Sequence, residues 1–237
     1  MTLVAAVLSP HPPLLIPAVA AGAQGETAEL RAACLEAART LVATSPDVLV
    51  IVGSGESRAT HAAGASGSLA GYGVPLVVPL CPEAESVGEP ALPLSLTVGA
   101  WLLAEAGHPG QCTGLAVPAD ATAEAAAAIG AELSRRGERV GLLVMGDGSA
   151  RRSEAAPGHL DERAEGFDAA VVGALRTGDL DALLDLDADL ARDLLVAGRV
   201  PWQVLAGAAW GREWSCSIGY EAAPYGVTYV VATWLPA

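Results

Sequence analysis

The sequence predicts an α/β fold: a single domain, residues 1–237, with a central, mostly parallel sheet that is flanked by helices on both faces and closes with a C-terminal hairpin. The first observation behind this prediction is that short, apolar, β-branched runs alternate with longer helical stretches. The second is a hydrophobic fraction of 52%, which supplies apolar surface for a sizeable core. The third is that only five residues separate the last two predicted strands, a spacing typical of an antiparallel hairpin.

Five short apolar runs are predicted to be buried strands, and helical stretches lie between them. The predicted strands are residues 3–8, 48–52, 76–78, 114–117 and 140–145. The predicted helices are residues 26–42, 94–106 and 121–135. Asp120 is expected to cap the amino terminus of the third helix. Strands joined in this way run parallel, and the loops at their carboxyl ends form the natural crevice for a ligand.

The carboxyl-terminal half is predicted to be helical before it returns to the sheet. Leucines recur at three- and four-residue intervals within residues 161–209, and Pro201 suits the first turn of a last helix, 202–210. The two closing strands are residues 215–221 and 227–234. Residues 64–73 and 81–93 are rich in Gly and Pro and are expected to be loops near the crevice.

The charge and composition of the chain limit its partners. It carries 13 basic and 27 acidic side chains, a formal net charge of -14, so no nucleic-acid partner is expected. No apolar run approaches the roughly 18 residues that cross a bilayer, so no membrane association is expected. The amino terminus lacks the basic start of a signal peptide, which predicts a cytoplasmic location. The sequence contains no lysine, which excludes Schiff-base chemistry and a P-loop lysine.

The four cysteines are widely spread along the chain. They are Cys34, Cys81, Cys112 and Cys216. Because no Cys-x-x-Cys pair is present, neither a zinc knuckle nor a thioredoxin-type motif is expected. Buried free thiols are the simplest interpretation.

Four residues are candidate metal ligands because they follow or end predicted strands. His11 lies between prolines directly after the first strand, and Glu56 and His61 lie shortly after the second. Glu221 is a carboxylate near the end of an otherwise apolar strand. Two imidazoles and one carboxylate around an open face suit non-haem Fe(II). The alternatives are a turn histidine packed on prolines for His11, a solvated loop histidine for His61 and an exposed strand end for Glu221.

Two further residues are candidates for ligand positioning or proton transfer. Asp147 lies in a Gly-Asp-Gly-Ser segment after a buried strand, where it either positions a ligand or caps the next turn. The segment matches neither a P-loop nor a dinucleotide-binding loop. His159 precedes a predicted helix, in a loop that either folds over the site or is exposed.

The motifs of this chain resemble those of the catalytic B subunit of class III extradiol ring-cleavage dioxygenases (LigB-like) and of the related Memo-like proteins. The most specific is Ser9-Pro10-His11-Pro12-Pro13 after the first strand. The others are the second strand ending at Gly53, the Gly146–Ser149 turn and the closing Gly219-Tyr220-Glu221. The resemblance follows the order of elements over nearly the whole chain.

The resemblance implies a non-haem Fe(II) centre that binds a small catecholic substrate and O2; another divalent metal is not excluded. His11 matches the first histidine ligand, Glu56 or His61 is the match for the second, and Glu221 is the match for the glutamate. A further histidine serves as acid/base in the family. The implied partners are the small aromatic substrate, O2, and either a second copy of the chain or a small partner subunit.

The clearest departure from the family is at Ala150. Family members tend to carry a histidine soon after the turn that Asp147-Gly148-Ser149 resembles, and here His159 is the only nearby substitute. Loss of the acid/base group would cost roughly 10²–10⁴ in rate. Three functions therefore stay open: an extradiol dioxygenase, a catalytically degenerate Memo-like binding or partner protein, and a metal-assisted hydrolase in which Glu56 or Asp147 activates water.

Overall fold

The central sheet has seven strands in the computed structural model, which describes residues 3–135 and 138–237. In chain order, the strands of these ranges are β1 (Leu3–Ser9), β2 (Val48–Gly55), β3 (Ala59–His61), β4 (Ser66–Ser68), β5 (Val77–Pro79), β6 (Cys112–Pro118), β7 (Val140–Met145), β8 (Trp214–Ala222) and β9 (Tyr229–Pro236). The spatial order in the central sheet is β3-β6-β2-β7-β1-β9-β8. Strands β6, β2, β7 and β1 run parallel, while β3 and β9 pair antiparallel with β6 and β1. Strands β8 and β9 form the predicted C-terminal hairpin.

Helices cover both faces of this sheet. They are α1 (Pro17–Ala20), α2 (Ala28–Ala43), α3 (Leu94–Glu105), α4 (Ala123–Ser134), α5 (Arg163–Thr177), α6 (Leu180–Leu184), α7 (Ala188–Asp193) and α8 (Arg199–Ala209). Helices α2 and α3 pack on one face, and α4 to α8 pack on the other. All six residues of β7 are buried, as expected for a parallel strand covered on both sides. The predicted fold class is confirmed.

Four local predictions are corrected by the structure. Ser66–Ser68, within the loop expected at residues 64–73, form β4. Thr122, not Asp120, is the N-cap of α4, because the Thr122 hydroxyl accepts the Ala125 N–H at 3.2 Å. The predicted strand at 76–78 forms as β5, but it pairs with β4 in a separate two-stranded sheet. The helical stretch at 161–209 is broken into four helices.

The breaks between these four helices have ordinary causes. Gly178, in the left-handed conformation, ends α5, and the carboxylates of Asp179 and Asp187 cap α6 and α7. Helix α8 begins two residues before Pro201, which lies in its first turn as the sequence predicts. Within the described ranges, no helix combines the length and the apolarity needed to cross a membrane.

The topology creates a switch point at the carboxyl ends of β1 and β7. Strands β1 and β7 are adjacent, but the chain leaves β1 towards α2 on one face and leaves β7 towards α5 on the other. The connections therefore diverge at the carboxyl ends of these two strands. In open α/β sheets, ligands bind at such a switch point.

Candidate functional site

His11 and Asp147 meet at this switch point. His11 follows β1, and its backbone N–H donates to Asp147 Oδ1 at 2.8 Å. Its ring Nδ1 lies 3.5 Å from the same oxygen. Only 10% of the His11 side chain and 17% of the Asp147 side chain are exposed. The structure thus brings together the two candidate residues that directly follow adjacent parallel strands.

The turn that carries Asp147 needs glycine on its amino-terminal side. Gly146 N–H donates to Ser9 O at 3.0 Å, which extends the pairing between the ends of β1 and β7. A Cβ atom at Gly146 would lie 2.5 Å from the Gly198 Cα, at the start of α8. The Asp147 carbonyl accepts the Gly198 N–H at 2.9 Å. Gly146 therefore permits close packing on α8. This packing explains the glycine without a phosphate-binding role for the turn.

Asp168 holds the other end of this turn. Its Oδ1 accepts the Ser149 N–H at 2.9 Å, and its Oδ2 accepts the Thr228 hydroxyl at 2.6 Å and lies 3.4 Å from an Arg152 guanidinium nitrogen. Asp168 is 2% exposed, and this burial raises the pKa of its carboxyl although all three hydrogen-bond donors oppose that effect. The carboxylate links α5, the turn and the start of β9.

Asp168 is not among the residues predicted from the sequence, although the sequence carries a signal for it. Asp168 lies in α5 on the same helical stripe as buried apolar residues. These are Ala164, Phe167, Val171, Val172 and Leu175. An acidic residue on a buried stripe needs a polar partner, so the 3.6-residue period could have identified it.

The groups around Asp147 are kept protonated. Burial, together with the Asp147 charge, raises the pKa of the Tyr229 hydroxyl well above its usual value. Burial likewise raises the pKa of the Cys34 thiol to about 12. Both groups are therefore neutral near pH 7.

One buried atom in the site has no partner. Among the described residues, His11 Nδ1 is a buried side-chain nitrogen without a hydrogen bond, because 3.5 Å and the orientation to Asp147 do not make one. Native structures satisfy nearly all such atoms, with protein, water or a bound molecule. The Asp147 carboxylate can accept a hydrogen bond from a hydroxyl group, and the His11 imidazole has one nitrogen that can donate and one that can accept.

Glu56 and His61 lie elsewhere. Both line an open pocket of about 460 Å³ beside the loop Pro90–Pro93. Glu56 is exposed, and His61 is half-buried in the edge strand β3, opposite Gly114 of β6. His61 is thus in a short antiparallel strand and not in the solvated loop that the sequence suggests as an alternative.

Glu221 lies at the opposite edge of the sheet. It is in β8, opposite Val230, and its carboxylate accepts from the Arg176 guanidinium at 2.8 Å. Six strand-to-strand steps separate β3 from β8, which at about 4.8 Å each is roughly 29 Å. Protein ligands bind one transition-metal ion at about 2 Å, so His61 and Glu221 cannot share a metal ion within this chain.

The predicted Fe(II) ligand set is therefore not assembled. In residues 3–135 and 138–237, no group of three or more His, Cys, Asp or Glu side chains is placed to hold a metal ion. His11 has Asp147 beside it, but neither Glu56, His61 nor Glu221 completes a ligand set with them. The residues present do not fit the metal centre that the resemblance implies.

The remaining candidate, His159, is exposed. Its backbone is in the left-handed region (φ 59°), and its Nδ1 lies 2.8 Å from the Glu154 carbonyl oxygen. The neighbouring Gly158 N–H donates to Ala150 O at 3.0 Å, so this loop folds back beside the position where the family carries its histidine. The imidazole itself contacts its own loop.

Comparison with known proteins shows the fold. No family model matches this chain, and no curated protein matches it. Its structure is similar to the crystal structure of the uncharacterized protein JW3007 from Escherichia coli K12, with a TM-score of 0.59 and 15% sequence identity. The match covers 98% of this chain and 99% of that chain. At this identity the similarity extends to the architecture alone.

Proposed function

We propose that this chain is a metal-independent, small-molecule-binding protein of LigB-like architecture, in which His11 and Asp147 recognise the ligand. One observation carries the proposal: these two residues meet at the switch point, while His61 and Glu221 lie at opposite edges of the sheet. The proposal corresponds to the degenerate, Memo-like alternative among the functions that the sequence leaves open.

The ligand class follows from the resemblance and from the chemistry of the pair. A small hydroxylated aromatic molecule offers an O–H group that can donate to the Asp147 carboxylate, whose side chain is 17% exposed beside His11. Burial of both side chains strengthens such hydrogen bonds, because water competes for them less.

The ring-cleaving dioxygenase is the second candidate, because His11 directly follows β1 as the family's first ligand does. This function requires Fe(II), and the residues that would have to join His11 are held elsewhere: Glu221 pairs with Arg176, and His61 lies in β3. A metal-assisted hydrolase meets the same difficulty, although Asp147 is suitably placed to orient a water molecule.

The test measures catechol binding with and without metal. Isothermal titration of catechol into the full chain, in buffer that contains a chelator, is expected to show binding. His11→Ala and Asp147→Asn are each expected to weaken this binding at least tenfold, since each removes one of the two recognition groups. Circular dichroism of each variant checks that the fold is retained.

His61→Ala and Glu221→Gln are the matched controls. In a metal-independent protein both are expected to bind catechol as the unsubstituted chain does, because neither side chain reaches the His11–Asp147 pair. Oxygen uptake after anaerobic loading with Fe(II) distinguishes the second candidate. Uptake with catechol that depends on His61 and Glu221 would overturn the proposal in favour of the dioxygenase, and an absence of catechol binding would overturn it outright.

A further inference from the structure

Two of the four cysteines lie against each other, away from the crevice. Cys81 follows β5, and Cys112 begins β6, 31 residues later. The Cys81 Sγ atom accepts the Cys112 backbone N–H at 3.0 Å, and the Cys81 thiol donates to the Cys112 carbonyl oxygen at 3.3 Å. Both thiols are free and buried. Since β6 is seven residues long, this pair is about 20 Å from the carboxyl ends of the parallel strands.

The two thiols affect each other's acidity in opposite directions. A hydrogen bond from the Cys112 thiol, assisted by the Cys112 backbone N–H, lowers the pKa of Cys81 to about 7 although burial opposes it. The same hydrogen bond, reinforced by burial, raises the pKa of Cys112. Cys81 is therefore the group that becomes a thiolate near neutral pH, and Cys112 is the adjacent thiol that still holds its proton.

The other two cysteines lack this activation. Burial raises the pKa of Cys34 to about 12 and that of Cys216 to about 11. Cys216 is nevertheless the most exposed of the four. Reaction governed by exposure would therefore begin at Cys216, whereas reaction governed by thiolate character would begin at Cys81.

We propose that Cys81 and Cys112 form an oxidant-reactive dithiol, which a hydroperoxide converts to a disulfide. The Cys81 thiolate attacks one peroxide oxygen, the O–O bond breaks, and the leaving hydroxide takes up a proton as water, which leaves a sulfenic acid on Cys81. Cys112 then loses its proton, its sulfur attacks the Cys81 sulfur, and the S–O bond breaks with release of a second water. Two thiols are oxidised, and one peroxide is reduced by two electrons.

The geometry favours the second step over further oxidation. The Cys81 sulfur already contacts the backbone N–H and carbonyl of Cys112, so rotation of the two side chains brings the sulfur atoms towards the disulfide distance of about 2.05 Å. The bond would join the end of the two-stranded β4–β5 sheet to the amino-terminal edge of the central sheet. This chemistry is independent of the proposed function, because Cys112 lies at the amino-terminal end of the parallel strand β6, whereas His11 and Asp147 follow the carboxyl ends of β1 and β7.

The experiment treats the reduced, full-length chain with stoichiometric hydrogen peroxide. The expected result is loss of two of the four free thiols, loss of two hydrogen atoms from the intact mass, and a Cys81–Cys112 cross-linked peptide. The rate is expected to rise with pH and to level off above about pH 8, because Cys81 is then almost entirely thiolate.

Two variants make the experiment specific. Cys112→Ser is expected to stop at the sulfenic acid, which dimedone labels at Cys81, while the matched control Cys216→Ser is expected to behave as the unsubstituted chain does. First oxidation at Cys216, a cross-link that involves any other cysteine, or four intact thiols after treatment would each overturn the proposal. The main measurement is made on the unsubstituted chain, so the folding of a variant does not decide the outcome.

Discussion

Asp168 lies behind the candidate site and controls the turn that presents Asp147. Its two carboxylate oxygens accept hydrogen bonds from the Ser149 backbone and the Thr228 hydroxyl, on segments that precede and follow it in sequence. A buried carboxylate is expensive to desolvate and is tolerated only where such donors surround it. The orientation of Asp147, two residues before Ser149, therefore depends on a side chain from α5.

Asp168→Asn is expected to destabilise the protein by about 2 kcal/mol near pH 7, because an amide accepts through only one of its two terminal atoms. Urea unfolding measures this loss. Its pH dependence has a definite sign: the pKa of Asp168 is raised in the folded state, so the folded state holds more protons than the unfolded state above about pH 4. The contribution of Asp168 to stability is therefore complete below the ordinary pKa of an aspartate, and it is lost as the pH rises through the pKa of Asp168 in the folded protein.

Because asparagine does not titrate, the difference between the two proteins is expected to shrink as the pH rises above about 4, through the raised pKa of Asp168. Asp161 is the matched control of opposite sign: the adjacent Arg163 lowers its pKa to about 2. Any effect of Asp161→Asn is expected to grow as pH rises from about 2 to 4. A destabilisation by Asp168→Asn that increases as the pH rises above about 4 would contradict the raised pKa of Asp168.

At the scale of elements, the start of α4 shows how a hydroxyl can replace a carboxylate as a cap. Thr122 has extended backbone angles, and its side chain reaches the Ala125 N–H. Asp120 lies two residues earlier. The backbone carbonyls on either side of it, those of Ala119 and Ala121, accept hydrogen bonds from the Arg199 guanidinium. The Asp120 charge faces that guanidinium, and the helix begins later than the sequence suggests.

Thr122→Ala is expected to reduce the free energy of unfolding by about 1 kcal/mol, since it leaves an amide of the first turn without its partner. Thr40→Ala is the matched control, because the Thr40 hydroxyl donates to the Glu36 carbonyl inside α2 and caps nothing. That control is expected to change stability by less than about 0.5 kcal/mol. Chemical denaturation compares the two, and equal losses would argue against the cap.

At the scale of the whole molecule, the two sheets are expected to differ in local stability. Strands β2 and β7 lie in the middle of the central sheet and are buried on both faces. Strands β4 and β5 have three residues each and pair only with one another in the described chain. Short strands with few buried neighbours open at a lower free energy than core strands.

Hydrogen exchange measured by mass spectrometry checks this difference. Amides of β2 and β7 are expected to exchange slowest, near the rate set by global unfolding, while those of β4 and β5 exchange much faster. Oxidation of the Cys81–Cys112 pair is expected to slow exchange in β5, which directly precedes Cys81. Equal protection of the two sheets in the reduced protein would contradict the expected difference.

The strands and helices were largely predictable because their signals are local. The apolar β-branched run at 48–52 and the leucine spacing within 161–209 each predict an element that the structure contains. The partner of a short strand was not predictable, as β5 shows, because three residues carry no pattern that selects one sheet over another.

The sequence by itself predicted the long strands and helices, but not the short strands β3 and β4, and it placed His11 and Asp147 each after a buried strand. Only the tertiary structure decided that those strands are neighbours, and that His61 and Glu221 lie at opposite edges of one sheet. The physical reason is that periodicity reports local backbone conformation, whereas strand order depends on how distant segments pack on one another. Separation along the chain therefore does not set the distance between two side chains in space.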